Sequence, residues 1–112
     1  MKISVIIPTR DPDTKTLIRV ADALARQTLP VDQWEVVLVD NASLPPVSLD
    51  PFKALAAPVR RVEEGVPGLS RARSKGIADA KGSILAFIDD DVLPAPDFLE
   101  SACTLFARLP TL

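Results

Sequence analysis

Apolar residues along this chain fall into two kinds of pattern, continuous runs and helically spaced stripes, and the two alternate. Ile3 to Ile7 is a short apolar, β-branched run stopped by Pro8, and Pro8-Thr9-Arg10-Asp11-Pro12-Asp13 behind it is dense in turn formers. This predicts a buried strand followed by a loop. Asp13 is then placed to cap a helix whose apolar positions Leu17, Ile18, Ala21, Leu24 and Ala25 oppose Arg19, Asp22 and Arg26. That helix is expected to end near Gln27-Thr28, before Pro30. Trp34 to Val39 is a second β-rich run without polar alternation, the pattern of a strand covered on both faces, and Asp40-Asn41-Ala42-Ser43 closes it.

Between Leu44 and Pro58 the prolines at 45, 46, 51 and 58 and the weak periodicity predict a loop with one helical turn around Phe52 to Ala56. Val59 to Glu63 reads as a third strand, interrupted by Arg60 and Arg61 as an edge strand often is. Gly65 to Gly68 turns the chain. Leu69, Ala72, Arg73, Gly76, Ile77 and Ala80 trace one face of a helix that Gly82 is placed to end in the left-handed conformation. Ser83 to Ile88 predicts a fourth strand, ending abruptly in Asp89-Asp90-Asp91. A last helix should start near Pro96-Asp97 and bury Phe98, Leu99, Ala102, Leu105 and Phe106.

Strands alternating with helices predict an α/β fold over residues 1–112 as one domain: a mostly parallel sheet with right-handed crossovers and helices on both faces. In such sheets ligands gather at the carboxyl ends of the strands. Here those ends read Pro8-Thr9-Arg10, Asp40-Asn41-Ala42-Ser43 and Asp89-Asp90-Asp91, so the three polar clusters should face one crevice.

Composition narrows the chemistry. The 112 residues are 47% hydrophobic and 25% charged, as in soluble globular domains. A single cysteine, Cys103, excludes an internal disulfide, and the absence of histidine removes Ser-His and Cys-His nucleophile pairs, histidine zinc sites and an imidazole base. A net charge of -2 supplies no cationic field for nucleic acid, so no nucleic-acid partner is expected. The N-terminal apolar run is too short for a membrane span and lacks a signal-peptide cleavage site, which predicts a cytoplasmic location.

Three consecutive carboxylates at a strand end repel one another unless something positive sits among them. Oxygen ligands without His or Cys favour Mg²⁺ or Mn²⁺, with water and a substrate phosphate filling the remaining positions. The plainer alternative is that these acids solvate a strand end ahead of a helix. Asp40 can hold a ribose hydroxyl or a base edge, or serve an Asx turn. Thr9 and Arg10 stand where nucleotides often dock, although the dinucleotide and P-loop glycine patterns are missing there. Arg73, on the expected apolar stripe, needs an anionic partner, either an internal acid or a bound phosphate, whereas Arg71 and Lys75 read as a solvated face.

Taken in order, "ISVIIPT" from Ile3, Gln27 followed by "VVLVDNAS", "GLSRARSKGIADAKG" and "ILAFIDDDV" resemble the nucleotide-binding half of family 2 glycosyltransferases, which have the Rossmann-like GT-A fold. The resemblance runs from Met1 to Leu112. It implies transfer of a sugar from a nucleotide diphosphate donor to a sugar, lipid or protein acceptor, usually with inversion and with Mg²⁺ or Mn²⁺. Carried over by position, it makes Pro8, Thr9 and Arg10 the loop beneath the nucleoside and Asp40 the acid that holds the base or ribose. Asp89, Asp90 and Asp91 match the family's Asp-x-Asp motif, with the first acids on ribose or metal and Asp91 on the metal bridging the diphosphate. Arg73 matches the arginine of an Ala-Arg-Asn block whose Asn is here Ser74, and Arg10 stands where Tyr or Asn is common.

The same resemblance puts the catalytic base and most of the acceptor site beyond residue 112, so this half-domain is expected to bind donor and metal without completing transfer, and to be truncated relative to a full transferase domain. It also implies a sheet that continues past Ile84 to Ile88. Left as an edge, so apolar a strand invites self-association. A cytoplasmic membrane face is compatible with such a role. Two other readings share the pattern: a receiver-like Mg²⁺-binding phosphoacceptor domain and a non-catalytic α/β interaction module.

Overall fold

The two uninterrupted apolar runs become the two inner strands of the sheet. In the computed structural model, which describes residues 1–109, strands β1 (Ile3–Thr9), β2 (Trp34–Asn41), β3 (Val59–Glu64) and β4 (Ile84–Phe87) are all parallel, in the order β3-β2-β1-β4. The last three positions of the expected 1–112 domain lie outside the described residues. Helices α1 (Thr14–Ala25), α2 (Leu69–Asp79) and α3 (Phe98–Arg108) complete the fold, with one-turn 3₁₀ helices at Val31–Gln33 and Asp50–Phe52. The second of these falls slightly ahead of the turn expected at 52–56, because Asp50-Pro51 opens it and buried Phe52 closes it.

Helices cover both faces of the sheet. On one side, Ile3, Val5 and Ile7 of β1 and Trp34, Val36 and Leu38 of β2 pack with Leu17, Val20 and Leu24 of α1 and Leu99 of α3. On the other, Ile6, Val37 and Val39 pack with Ala72 of α2. Every residue of β2 is buried, and the Trp34 indole nitrogen donates to the Leu29 carbonyl at 3.0 Å, so burying that ring leaves no donor unpaired. Asp13 caps α1 as its sequence position suggests, accepting from the Lys15 amide at 3.0 Å.

Several expectations are corrected. β1 does not stop at Pro8 but runs through it to Thr9. Pro8 stays in register with Val39 of β2, while the β4 ladder has already ended at Ile6–Phe87, so a missing amide does not interrupt it. β2 likewise runs on through Asp40 to Asn41. Gly82 is not a left-handed cap. α2 ends at Asp79 with Ala80 extended, and Gly82 is required instead for a close approach: a Cβ there would lie 2.6 Å from the Ile3 carbonyl carbon and the Ser4 nitrogen.

The buried face of α2 is narrower than its apolar positions suggest. Only Ala72 and Gly76 are buried, Leu69, Arg73 and Ile77 being exposed. Small residues let the helix settle against the sheet, where a Cβ on Gly76 would lie 3.2 Å from a Val39 methyl, and the larger flanking side chains are left outside the contact. In α1, Ile18 and Ala25 are exposed, the buried stripe being Leu17, Val20, Ala21 and Leu24. α3 buries Leu99, with Phe98, Ala102 and Cys103 partly covered, while Leu105 and Phe106 are exposed at 58% and 52%. Its start is capped not by Asp97 but by Gln27, whose side-chain oxygen accepts from the Leu99 amide at 3.1 Å.

At the amino end of the sheet a buried carboxylate knits the elements together. Glu35 accepts from the Ser4 hydroxyl (2.6 Å), the Lys81 amide (2.9 Å) and the Arg60 guanidinium (3.0 Å), and Arg60 also donates to the Asp79 carbonyl at the end of α2 (2.6 Å). Burial pushes the Glu35 carboxyl up, but the Ser4, Lys81 and Arg60 contacts outweigh it and hold the group below its ordinary 4.5.

Candidate functional site

The carboxyl ends of the strands open into a cleft of about 440 Å³. Its floor is the tip of β1 (Pro8, Thr9, Arg10) with Asn41 from β2, and its walls are the start of α2 (Gly68, Leu69, Ala72) and the acids after β4 (Asp89, Asp90, Asp91). The acids sit in a turn closed by the Val92 amide donating to the Asp89 carbonyl at 3.1 Å. The Ile88 amide still bonds the Ile6 carbonyl, so the turn starts directly from the sheet although strand pairing ends at Phe87. Asp90 is half-buried and accepts from the Thr9 hydroxyl at 2.6 Å, which ties the β4 end to the β1 tip, while Asp89 and Asp91 are exposed.

The loops that carry this cleft are held in sparsely populated conformations. Asp11 and Ala42, at the tips of β1 and β2, have φ of 46° and 59°. They persist because the loops clamp each other: the Asp11 amide donates to the Ser43 hydroxyl at 2.8 Å, and the Asp11 carboxylate accepts from the Leu44 amide at 2.8 Å. Gly68, at φ 143°, supplies a backbone that a side chain would strain, and its amide donates to the Asn41 side-chain oxygen at 2.9 Å. Asn41 also donates to the Glu64 and Val66 carbonyls, at 3.0 and 2.8 Å, so its amide group shapes the loop at the mouth of the cleft.

Six of the residues singled out from sequence therefore converge: Pro8, Thr9, Arg10, Asp89, Asp90 and Asp91. Two do not line the cleft. Asp40 is buried at the end of β2 and accepts from the Ser43 amide (3.2 Å), the Val47 amide (2.9 Å) and Arg61 (2.7 Å). Burial raises its carboxyl, but Ser43, the Val47 amide and Arg61 more than offset this and keep it below its ordinary 3.8. Arg73 is exposed on α2, so the burial that would have demanded an anionic partner is not realised.

Gly68, Leu69 and Ala72 also line the cleft, and of the Asp40-Asn41-Ala42-Ser43 cluster it is Asn41 that reaches it. For Asn41 the signal is strand parity. Side chains alternate along β2, so Asp40 follows Val36 and Leu38 onto the α1 face, while Asn41 follows Val37 and Val39 onto the α2 face, where the cleft opens.

Among the described residues, no three carboxylate, histidine or cysteine side chains gather closely enough to cage a metal by themselves. What the cleft offers is two exposed carboxylates beside one that is already oriented. That donor set fits Mg²⁺ or Mn²⁺, since magnesium commonly binds through one or two carboxylates with water and substrate phosphate completing the shell.

Comparison with known proteins agrees with this geometry. The family described as Glycosyl transferase family 2 matches residues 4–111. Glycosyltransferase AglE of Haloferax volcanii is 32% identical over 106 residues, covering 88% of this chain and 33% of AglE. Among solved structures, the mannosyltransferase PcManGT from Pyrobaculum calidifontis in complex with GDP-Man and Mn²⁺ superposes with a TM-score of 0.80 at 28% identity, over 99% of this chain and 33% of that one. Staphylococcus aureus TarS in complex with UDP gives 0.79 at 23% identity, covering 96% of this chain and 32% of the other, a likeness of fold. The chain thus spans about a third of AglE, of the PcManGT chain and of TarS residues 1–349, and 20% of the longer TarS chain.

Proposed function

The chain belongs to glycosyl transferase family 2, and on that premise we propose that its cleft binds the nucleoside diphosphate portion of a sugar donor for transfer to an acceptor. The observation that carries this is the meeting of Asp89, Asp90 and Asp91 with Thr9 and Arg10 at the carboxyl end of a parallel sheet. Support for the donor class comes from PcManGT, solved with GDP-Man and Mn²⁺. Family membership favours the transferase over the phosphoacceptor and interaction-module readings.

In the proposed mechanism, Asp91 and Asp89 would hold Mg²⁺ or Mn²⁺, which when bound would supply Lewis-acid stabilisation of the negative charge that develops on the departing diphosphate. Thr9 fixes the rotamer of Asp90 through its 2.6 Å hydrogen bond, so one acid of the row is pre-oriented before a ligand arrives. The apolar side of the cleft, Leu69 and Ala72, gives a nucleoside a surface from which water is excluded. Transfer itself, with the expected inversion and a carboxylate base that deprotonates the acceptor hydroxyl, is proposed for a longer protein. The separate chain is proposed to bind donor without turnover.

The test is calorimetric titration with UDP, GDP and dTDP, each with Mn²⁺ and with EDTA. Metal-dependent binding of one of them is the expected result, and binding of none overturns the donor-site reading. Two further proposals concern the surroundings of the domain. One is a cytoplasmic location, at a membrane face if at a membrane; among the described residues no helix is long and apolar enough to cross one. The other is self-association through β4, a free edge of the sheet whose Phe87 is 40% exposed. A monomeric mass in gel filtration at high concentration overturns it.

A further inference from the structure

We propose that Arg10 is the residue by which this cleft reads the number of phosphates on its ligand: its guanidinium contacts the diphosphate directly, alongside the cation held by the acids. The inference rests on the donor-site reading and deepens it. Arg10 is the one basic side chain among the residues lining the cleft, which otherwise presents Asp89, Asp90 and Asp91. A nucleoside diphosphate entering such a site meets three carboxylates, and a single divalent cation does not neutralise those acids and two phosphates together. A second positive group on the protein side lowers the charge that remains.

Arg10 is free for that task. Arg60 and Arg61 are committed to the buried carboxylates Glu35 and Asp40, whereas Arg10 is exposed and makes no ion pair or side-chain hydrogen bond among the described residues. Its backbone is nonetheless fixed. Thr9, before it, is in register with Asp40 of β2, and Asp11, after it, is the left-handed residue clamped to Ser43 and Leu44. The chain therefore presents one exposed, unpaired guanidinium from a fixed backbone, at the rim shared with the acids. A planar fork of donors suits paired phosphate oxygens, and a lysine in its place would keep the charge and lose the fork.

The experiment is titration calorimetry of the 112-residue chain, Arg10→Ala and Arg10→Lys with UDP, UMP and uridine and with the guanosine and thymidine series, in Mn²⁺ and in EDTA. For whichever base binds, Arg10→Ala should weaken the diphosphate by about tenfold to a hundredfold, the scale of a hydrogen bond to a charged group. The free nucleoside should be left within about twofold, because no charge-assisted contact to it is removed, and Arg10→Lys should fall between the other two. In EDTA the unsubstituted chain should keep a residual preference for diphosphate over nucleoside that Arg10→Ala lacks. Equal weakening of nucleoside and diphosphate assigns Arg10 to the base and overturns the inference, as does an unchanged diphosphate affinity. If the unsubstituted chain binds no nucleotide, it is the donor-site reading that fails, and the inference with it.

Discussion

The buried carboxylates of this sheet, Glu35 at the amino end and Asp40 at the carboxyl end of β2, and the acid row after β4 are treated in opposite ways. At the amino end Glu35 is buried, and its oxygens take hydrogen bonds from Ser4, Lys81 and Arg60, with Arg60 in turn anchored on the α2 carbonyl of Asp79. At the carboxyl end Asp89 and Asp91 are exposed, and of the row only Asp90 receives a side-chain hydrogen bond, from Thr9. A carboxylate that the protein partners completely contributes to folding. One that it leaves with open lone pairs at a strand end is available to a ligand. The backbone follows the same division: the amino end is regular, whereas the left-handed residues Asp11 and Ala42 are at the carboxyl end.

Substitutions should therefore separate stability from binding according to whether the side chain they remove is partnered within the protein. The largest stability loss is expected for Glu35→Ala, which strands the Ser4 hydroxyl, the Lys81 amide and Arg60 together. A loss of about 3 kcal/mol in urea unfolding is expected, the low end for breaking a buried pair because Arg60 can recover some water. Nucleotide affinity under native conditions should be unaffected. A loss of affinity as large as the loss of stability would show that the two ends are not independent.

Acid should reproduce part of the same effect. The folded-state carboxyls of Glu35 and Asp40 lie below their ordinary 4.5 and 3.8, so between the folded and unfolded values the unfolded chain binds more protons. Their contribution is complete above those ordinary values and is lost as pH falls through the depressed ones. The melting temperature should accordingly be insensitive to these groups near neutrality and fall once the pH drops below 4.5. Glu35→Gln should melt lower at neutral pH and lose less on acidification. A variant with an unchanged acid slope would remove Glu35 as a source of that loss.

How much of this was legible in the sequence follows from the same physics. Apolar runs at Ile3–Ile7 and Trp34–Val39 announced the inner strands, because a strand covered on both faces leaves little room for alternation, and the acid row marked its own end of the sheet. Glu35 was hidden inside one of those runs: its partners come from Ser4, Arg60 and Lys81, which no local pattern connects. Which of Asp40 and Asn41 faces the cleft is one step of strand parity, visible only once the face carrying α2 is known, and the turn role open to Asp40 is the one that its bonds from the Ser43 and Val47 amides display. Arg73 falls on the stripe that Leu69 and Ile77 predict, a wide contact, whereas Ala72 and Gly76 make a narrow one. Long-range pairing and the closeness of helix approach are tertiary quantities, and those are where the reading departed.

An intermediate effect is expected for Asp11→Ala, which tests the clamp between the two loops. Alanine keeps the strained φ of 46° without the local hydrogen bonding that lets Asp and Asn tolerate it, and removes the acceptor of the Leu44 amide. A stability loss of about 1 to 2 kcal/mol is expected in urea unfolding. Asp11→Asn, able to keep both the conformation and the acceptor, should restore most of it. If alanine and asparagine behave alike, the clamp is not what holds these loops.

The smallest stability effect should come from Asp91→Asn, and the comparison stands or falls on it. Asp91 is exposed and neither donates nor accepts a side-chain hydrogen bond among the described residues, so the protein has nothing invested in its charge. Removing one of three adjacent negative charges should leave the melting temperature unchanged or slightly raised in the absence of metal, since like charges repel. Nucleoside diphosphate binding in Mn²⁺ should nevertheless fall to the level that the unsubstituted chain shows in EDTA, because one of the two charges that would hold the cation is gone while the shape of the side chain is kept. Calorimetry and thermal melting on one preparation read both quantities. Equal affinities for the two proteins would take Asp91 out of the site, and a large drop in melting temperature would mean that the carboxyl end is built as the amino end is, with its acids committed to the fold.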